Sequence, residues 1–200
     1  MSSFGSFLQL GLHHILTLEA ADHLLFLATL ILSRQIGNWR PMLILITAFT
    51  VGHSLTLALA TLDIVQVNAA AVEAMIPATI MVTSLVNLWT WRHGRRANDP
   101  PPKRDAERLW PRYIHGGRAG LIHGLGFSSV LRALLGSEES LLMPLLAFNI
   151  GIELAQIVVL ALLAVLGTAM TWRIFDRRGY VLAASGLTFG CATQMLLSRL

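Results

Sequence analysis

Five apolar stretches of this chain, each long enough to cross a bilayer, carry histidine, aspartate or glutamate in their interiors. The clearest run from Leu8 to Leu32, with His13, His14, Glu19, Asp22 and His23, and from Leu141 to Gly167, with Asn149, Glu153 and Gln156. A charge at bilayer depth costs about 3 kcal/mol on insertion scales. A chain that keeps such residues on several helices is expected to use them, and its chemistry is expected inside the membrane.

Composition points the same way. The 200 residues are 54% hydrophobic and only 13% charged, and the mean hydropathy is +0.63, outside the usual range of a soluble domain. A hydrocarbon core of roughly 30 Å needs about 20 apolar residues per helix. Six segments qualify, at 8–32, 41–62, 69–91, 118–135, 141–168 and 179–198. The expected fold is an all-α integral membrane protein of six transmembrane helices in one domain spanning residues 1–200. The stretch 92–118, with three consecutive prolines and eight basic residues, reads as a loop. The lone Cys191 excludes an intramolecular disulfide and disfavours a thiolate metal site. The N-terminus lacks the basic region and small-residue cleavage site of a signal peptide, so the first apolar segment is expected to be retained as a helix.

Basic residues are distributed unevenly. Loops 33–40, 92–118 and 169–178 carry them, whereas 63–68 and 136–140 carry Asp63, Glu138 and Glu139 instead. The positive-inside rule places both termini outside and the basic loops in the cytoplasm. The net charge of +4 is then a set of membrane anchors, not a nucleic-acid footprint.

The chain also repeats itself. Ala48-Phe49-Thr50-Val51-Gly52 in the second segment recurs as Ala147-Phe148-Asn149-Ile150-Gly151 in the fifth. Gly11-Leu12-His13-His14 in the first parallels Gly120-Leu121-Ile122-His123 in the fourth. Three spans per unit make the halves antiparallel, and inverted repeats place a binding site near the midplane at their interface. Chance similarity between apolar segments is the competing explanation.

Helical geometry sorts the polar residues. On the first helix His14, Glu19, Asp22 and His23 share one half of the surface, with His13 on the other side. Asn149, Glu153 and Gln156 form a stripe at i, i+4, i+7 that must face protein or water. His53, beside Ser54, and His123 lie near the middle of their own helices. Gly116, Gly120 and Gly124 form an edge of small residues suited to close packing. Asp22, His23, His53, His123 and Glu153 are therefore expected to converge. Imidazoles and carboxylates suit borderline divalent metals such as Ni, Co, Zn or Fe(II), whose charge would compensate buried carboxylates. The bland alternative is a set of His–carboxylate pairs that only hold helices together. Glu73 lies near the outer end of the third helix, where it could snorkel or capture an ion. No HExxH and no nucleotide-binding glycine motif is present.

The segments Gly11-Leu-His-His-Ile-Leu with Ala21-Asp22-His23, Thr47-Ala-Phe-Thr-Val-Gly-His53-Ser, Gly120-Leu-Ile-His123-Gly-Leu-Gly-Phe127 and Ala147-Phe-Asn149-Ile-Gly-Ile-Glu153-Leu-Ala-Gln156 resemble the HupE/UreJ family of bacterial membrane proteins. The resemblance runs from the first helix through the fifth. It implies a nickel or cobalt permease of the bacterial inner membrane, with His14, Asp22 and His23 among the metal ligands and His123, Asn149 and Glu153 in the later motifs.

Two functions compete. The leading one is a secondary permease for a divalent transition metal, nickel foremost, in which His14 and Glu73 capture the ion and Asp22, His23, His53, His123 and Glu153 bind it. Glu19, Asn149, Gln156 and Ser54 would support them. The other is an intramembrane zinc hydrolase acting on a lipid or membrane-anchored substrate, with Glu153 or Glu19 as general base. A cluster with no polar path onward to the cytoplasm would favour the enzyme.

Overall fold

The computed structural model describes residues 3–17, 20–32, 39–93, 105–135 and 141–199. Among them are eight helices: α1 (Ser3–Leu16), α2 (Ala21–Leu32), α3 (Trp39–Thr61), α4 (Ala69–His93), α5 (Asp105–Gly126), α6 (Ser128–Leu135), α7 (Leu142–Arg173) and α8 (Arg177–Leu197). The all-helical expectation is met, and α3, α4 and α8 lie within two residues of the expected segments at both ends.

Two expectations need correction. The first segment is not one straight helix, because α1 and α2 meet at a 68° bend. A new helix start exposes backbone N–H groups, and the carboxylate of Asp22 in the first turn of α2 accepts one of them, from His23, at 2.8 Å. The fourth segment, expected at 118–135, is likewise broken at Phe127 and begins at Asp105, well inside the stretch read as a loop. Asp105-Ala-Glu-Arg-Leu is charged but contains good helix formers. Charge was mistaken there for irregularity.

Among the described residues four helices (α3, α4, α7 and α8) are long and apolar enough to cross a membrane, and the bent α1–α2 pair makes a fifth. The α5–α6 pair does not meet that test; α5 carries Asp105, Glu107, Arg108, Arg112 and Arg118. The chain is a multi-pass membrane protein. Large apolar side chains such as Leu162, Val165 and Leu187 point outward, as lipid contact requires.

Three helix pairs dominate the packing: α3 with α5, α1 with α7, and α4 with α8. Two of these are glycine contacts. A Cβ added to Gly11 would strike the Phe148 carbonyl oxygen and crowd the Ile152 nitrogen; one added to Gly120 would strike the Phe49 carbonyl oxygen and crowd the His53 nitrogen. Gly151 meets the backbone of Leu8 and Leu12 in the same manner, and Gly52 that of Gly117 and Leu121. Only a residue without a side chain lets backbones approach this closely. Polar pairs add to these contacts. Ser84 and Thr188 meet at 3.0 Å between α4 and α8, and buried Asn87 on α4 donates to the Thr29 carbonyl of α2 at 2.7 Å. Arg132 on α6 pairs with Asp63 at 2.9 Å and donates to the Ala60 carbonyl at the end of α3.

Candidate metal site

The α1–α2 break brings two histidines to one place. His14 stands in the last turn of α1 and His23 in the first turn of α2, with ring centroids 4.8 Å apart. His53, fully buried on α3, lies 5.9 Å from the first ring and 5.8 Å from the second. One nitrogen from each of these three imidazoles falls within a group whose members all lie within 4.8 Å of one another. His123 from α5 adds a fourth ring, 5.0 Å from His23.

Hydrogen bonding decides which nitrogen His23 and His123 offer. Asp22 Oδ1 accepts both the His23 backbone N–H and His23 Nδ1, the latter at 2.9 Å. This fixes the tautomer and aims the Nε2 lone pair inward. Thr79 donates its hydroxyl proton to the Ile76 carbonyl at 2.7 Å. Its oxygen can therefore only accept from His123 Nε2, 3.2 Å away, which leaves His123 Nδ1 as a lone pair. His14 Nε2, His23 Nε2, His123 Nδ1 and both nitrogens of His53 are buried and have no hydrogen-bond partner. A buried polar atom without a partner costs about 1–3 kcal/mol, and five such nitrogens gather in this cluster. Metal–nitrogen bonds of about 2.1 Å would draw tetrahedral ligands to roughly 3.4 Å apart, within reach of small side-chain rotations.

Aromatic rings pack around the cluster. Phe127 lies 4.1 Å from His14 and stacks on Phe148 at 5.3 Å, while Phe26 and Phe49 flank His123. A cavity of about 480 Å³ connects buried His23 and His123 to the exposed side chains of His13 and Glu73.

A family model described as HupE / UreJ protein matches residues 1–199. The chain belongs to the HupE/UreJ family. Membership points to a function related to nickel or cobalt transport, with which the histidine cluster is compatible. Neither the curated proteins nor the solved structures contain a match to it.

Other expected site residues of this HupE/UreJ chain lie elsewhere. Glu153 accepts Thr47 Oγ1 at 2.7 Å across the α3–α7 seam, outside the three-histidine group. Thr50 meets Gln156 at 2.7 Å and Ser54 donates to Asn149 at 2.6 Å along the same seam. The stripe read on α7 does face protein, but its partners are hydroxyls of α3. Its turn carries one feature in common with the cluster, because Glu153 Oε2 and Gln156 Nε2 are buried and unpartnered. Glu73 is exposed on the cavity lining, and Glu19 lies outside the described residues.

Two residues of the site carry no signal in the sequence. Thr79, which sets the tautomer of His123, sits on an apolar helix among many threonines. Arg199 lines the cavity from the far end of the chain.

Proposed function

We propose that this chain is a secondary permease for a divalent transition metal, nickel foremost, with the His14, His23 and His53 group as its central binding site. The observation that carries the reading is the set of buried, unpartnered imidazole nitrogens within 4.8 Å, at the end of a cavity that also exposes Glu73. Nitrogen donors select borderline metals over Mg or Ca. His123 is the fourth ligand in this reading, and Asp22 acts through His23 by fixing its ring, as carboxylates behind metal-bound imidazoles do. Glu73 serves to attract the cation. Glu153, Asn149 and Gln156 form an oxygen-lined stretch on the α3–α7 seam for the ion's onward passage.

The same proposal takes the α5–α6 pair as a sixth span and the two halves as inverted repeats within one transmembrane domain. In support, residues equivalent by the sequence repeat make equivalent contacts: Gly11 against Phe148 and Ile152, Gly120 against Phe49 and His53. The basic loops then place both termini outside the bacterial inner membrane. The hydrolase reading has less behind it: of its two candidate bases, Glu153 stands outside the three-histidine group on the α3–α7 seam, and Glu19 lies outside the described residues.

The test is Ni²⁺ and Co²⁺ uptake into proteoliposomes holding the purified protein. Metal-dependent uptake that His23→Ala and His53→Ala both abolish supports a permease. Tight binding of one metal per chain with no flux in any liposome would instead sink it in favour of a resident cofactor.

A further inference from the structure

Arg199 stands where an arriving cation would pass. Its guanidinium Nη2 lies 3.8 Å from Asp22 Oδ2, and its Nη1 donates to the Glu73 carbonyl at 2.8 Å. It lines the same cavity as His14, His23 and His123. The two oxygens of Asp22 are thus used differently. Oδ1 is held by two hydrogen bonds from His23, whereas Oδ2 faces only a positive charge at a distance too long for a hydrogen bond.

We propose that Arg199 is a tethered, displaceable counter-ion: it neutralises Asp22 while the histidine site is empty and gives way when a divalent metal binds, so that it lowers metal affinity and speeds release. The inference deepens the permease reading and rests on it. A guanidinium has no lone pair and cannot be a metal ligand; beside a metal site it can only repel or move aside. The geometry permits movement. The arginine side chain is 26% exposed, and it meets Asp22 Oδ2 through charge alone at 3.8 Å, with no hydrogen bond to break before it moves. Its other bond, to a backbone carbonyl at the start of α4, offers an anchor that does not depend on Asp22. A transported ion has to leave its site, and four imidazoles beside an unopposed carboxylate would hold it too well. A competing cation on a short tether corrects that without removing a ligand.

The experiment measures Ni²⁺ binding by calorimetry in detergent and Ni²⁺ uptake in proteoliposomes for the full chain, Arg199→Gln, Arg199→Lys, Asp22→Asn and the Asp22→Asn/Arg199→Gln double variant. Metal-free melting of the same set forms a double-mutant cycle. Arg199→Gln should bind Ni²⁺ about tenfold tighter or more, because the cation that competes with the ion for the Asp22 charge is gone. Both KM and kcat for uptake should fall together. Arg199→Lys should restore wild-type values, and in the Asp22→Asn background the tightening should shrink. The metal-free cycle should show coupling between the two positions. Unchanged or weaker Ni²⁺ binding by Arg199→Gln, or equal tightening with Asn at position 22, overturns the proposal. Absence of coupling in the metal-free cycle overturns the pair itself. No Ni²⁺ binding by the wild type, with the coupling intact, overturns the permease reading and takes this proposal with it.

Discussion

Replacing His53 by leucine separates binding from stability more sharply than any other single change in this chain. The ring is fully buried, and neither Nδ1 nor Nε2 has a hydrogen-bond partner. A neutral imidazole always carries one N–H and one lone pair, so two polar groups are stranded in the metal-free protein. Each costs about 1–3 kcal/mol. Leucine removes both and forfeits the ring contacts with Phe49, His14 and His23, which are worth about 1–2 kcal/mol. His53→Leu should therefore melt no lower than wild type in the presence of a chelator, and by this arithmetic it is about 1–4 kcal/mol more stable. Metal reverses the order. At a hundredfold excess over Kd, Ni²⁺ should stabilise the wild type by about 2.7 kcal/mol through linkage, and His53→Leu by far less. Thermal melts in mild detergent, with chelator and with Ni²⁺, read both effects. A variant that loses several kcal/mol without metal, as a truncated core residue does, yet keeps the full Ni²⁺ shift would refute the reasoning. His53 would then be a packing residue and not a ligand.

Asp22→Asn preserves shape but weakens the acceptor that fixes His23 Nδ1; Ni²⁺ affinity by calorimetry should fall about 10–100-fold, the usual effect of losing a carboxylate behind a metal-bound imidazole. Gly120→Ala places a methyl against the Phe49 carbonyl and should destabilise by about 1–3 kcal/mol, while Gly186→Ala, which meets nothing within 4 Å, should be neutral or stabilising by up to about 1 kcal/mol. Comparing the two melts controls for glycine entropy.

The sequence disclosed what local chemistry controls. Apolar length marked α3, α4, α7 and α8, and the edge of Gly116, Gly120 and Gly124 marked the close contact of α5 with α3. Helical register put His14 and His23 on one half of the first segment, where they do meet, although through a bend and not along a straight helix. That bend was not legible because Thr17, Leu18, Glu19 and Ala20 include neither glycine nor proline. Where α2 starts, the Asp22 carboxylate accepts a backbone N–H from His23. The start of α5 was hidden by the opposite error, in which charge and nearby prolines outweighed helix propensity. Glu153 and Arg199 show the larger limit. Their partners, Thr47 and Asp22, lie across the fold, and register on one helix says nothing about which neighbour a side chain will find.

The division of donors between two places bears on which ion the chain can serve. The cluster at the α1–α2 break offers nitrogen lone pairs from four rings, with the nearest carboxylate turned toward its own histidine. The α3–α7 seam offers only oxygen and amide groups, from Thr47, Thr50, Ser54, Asn149, Glu153 and Gln156. Borderline metals prefer the first environment and hard cations the second. An ion drawn from the nitrogen cluster into the seam would exchange strong ligands for weak ones. If nickel is the cargo, removing the seam carboxylate by Glu153→Gln should leave Ni²⁺ affinity within about threefold of wild type while cutting uptake tenfold or more, a split between binding and turnover. Calorimetry and proteoliposome flux on the same preparation measure the two quantities. Loss of affinity equal to the loss of flux would instead put Glu153 among the ligands, and the seam would cease to be a separate station.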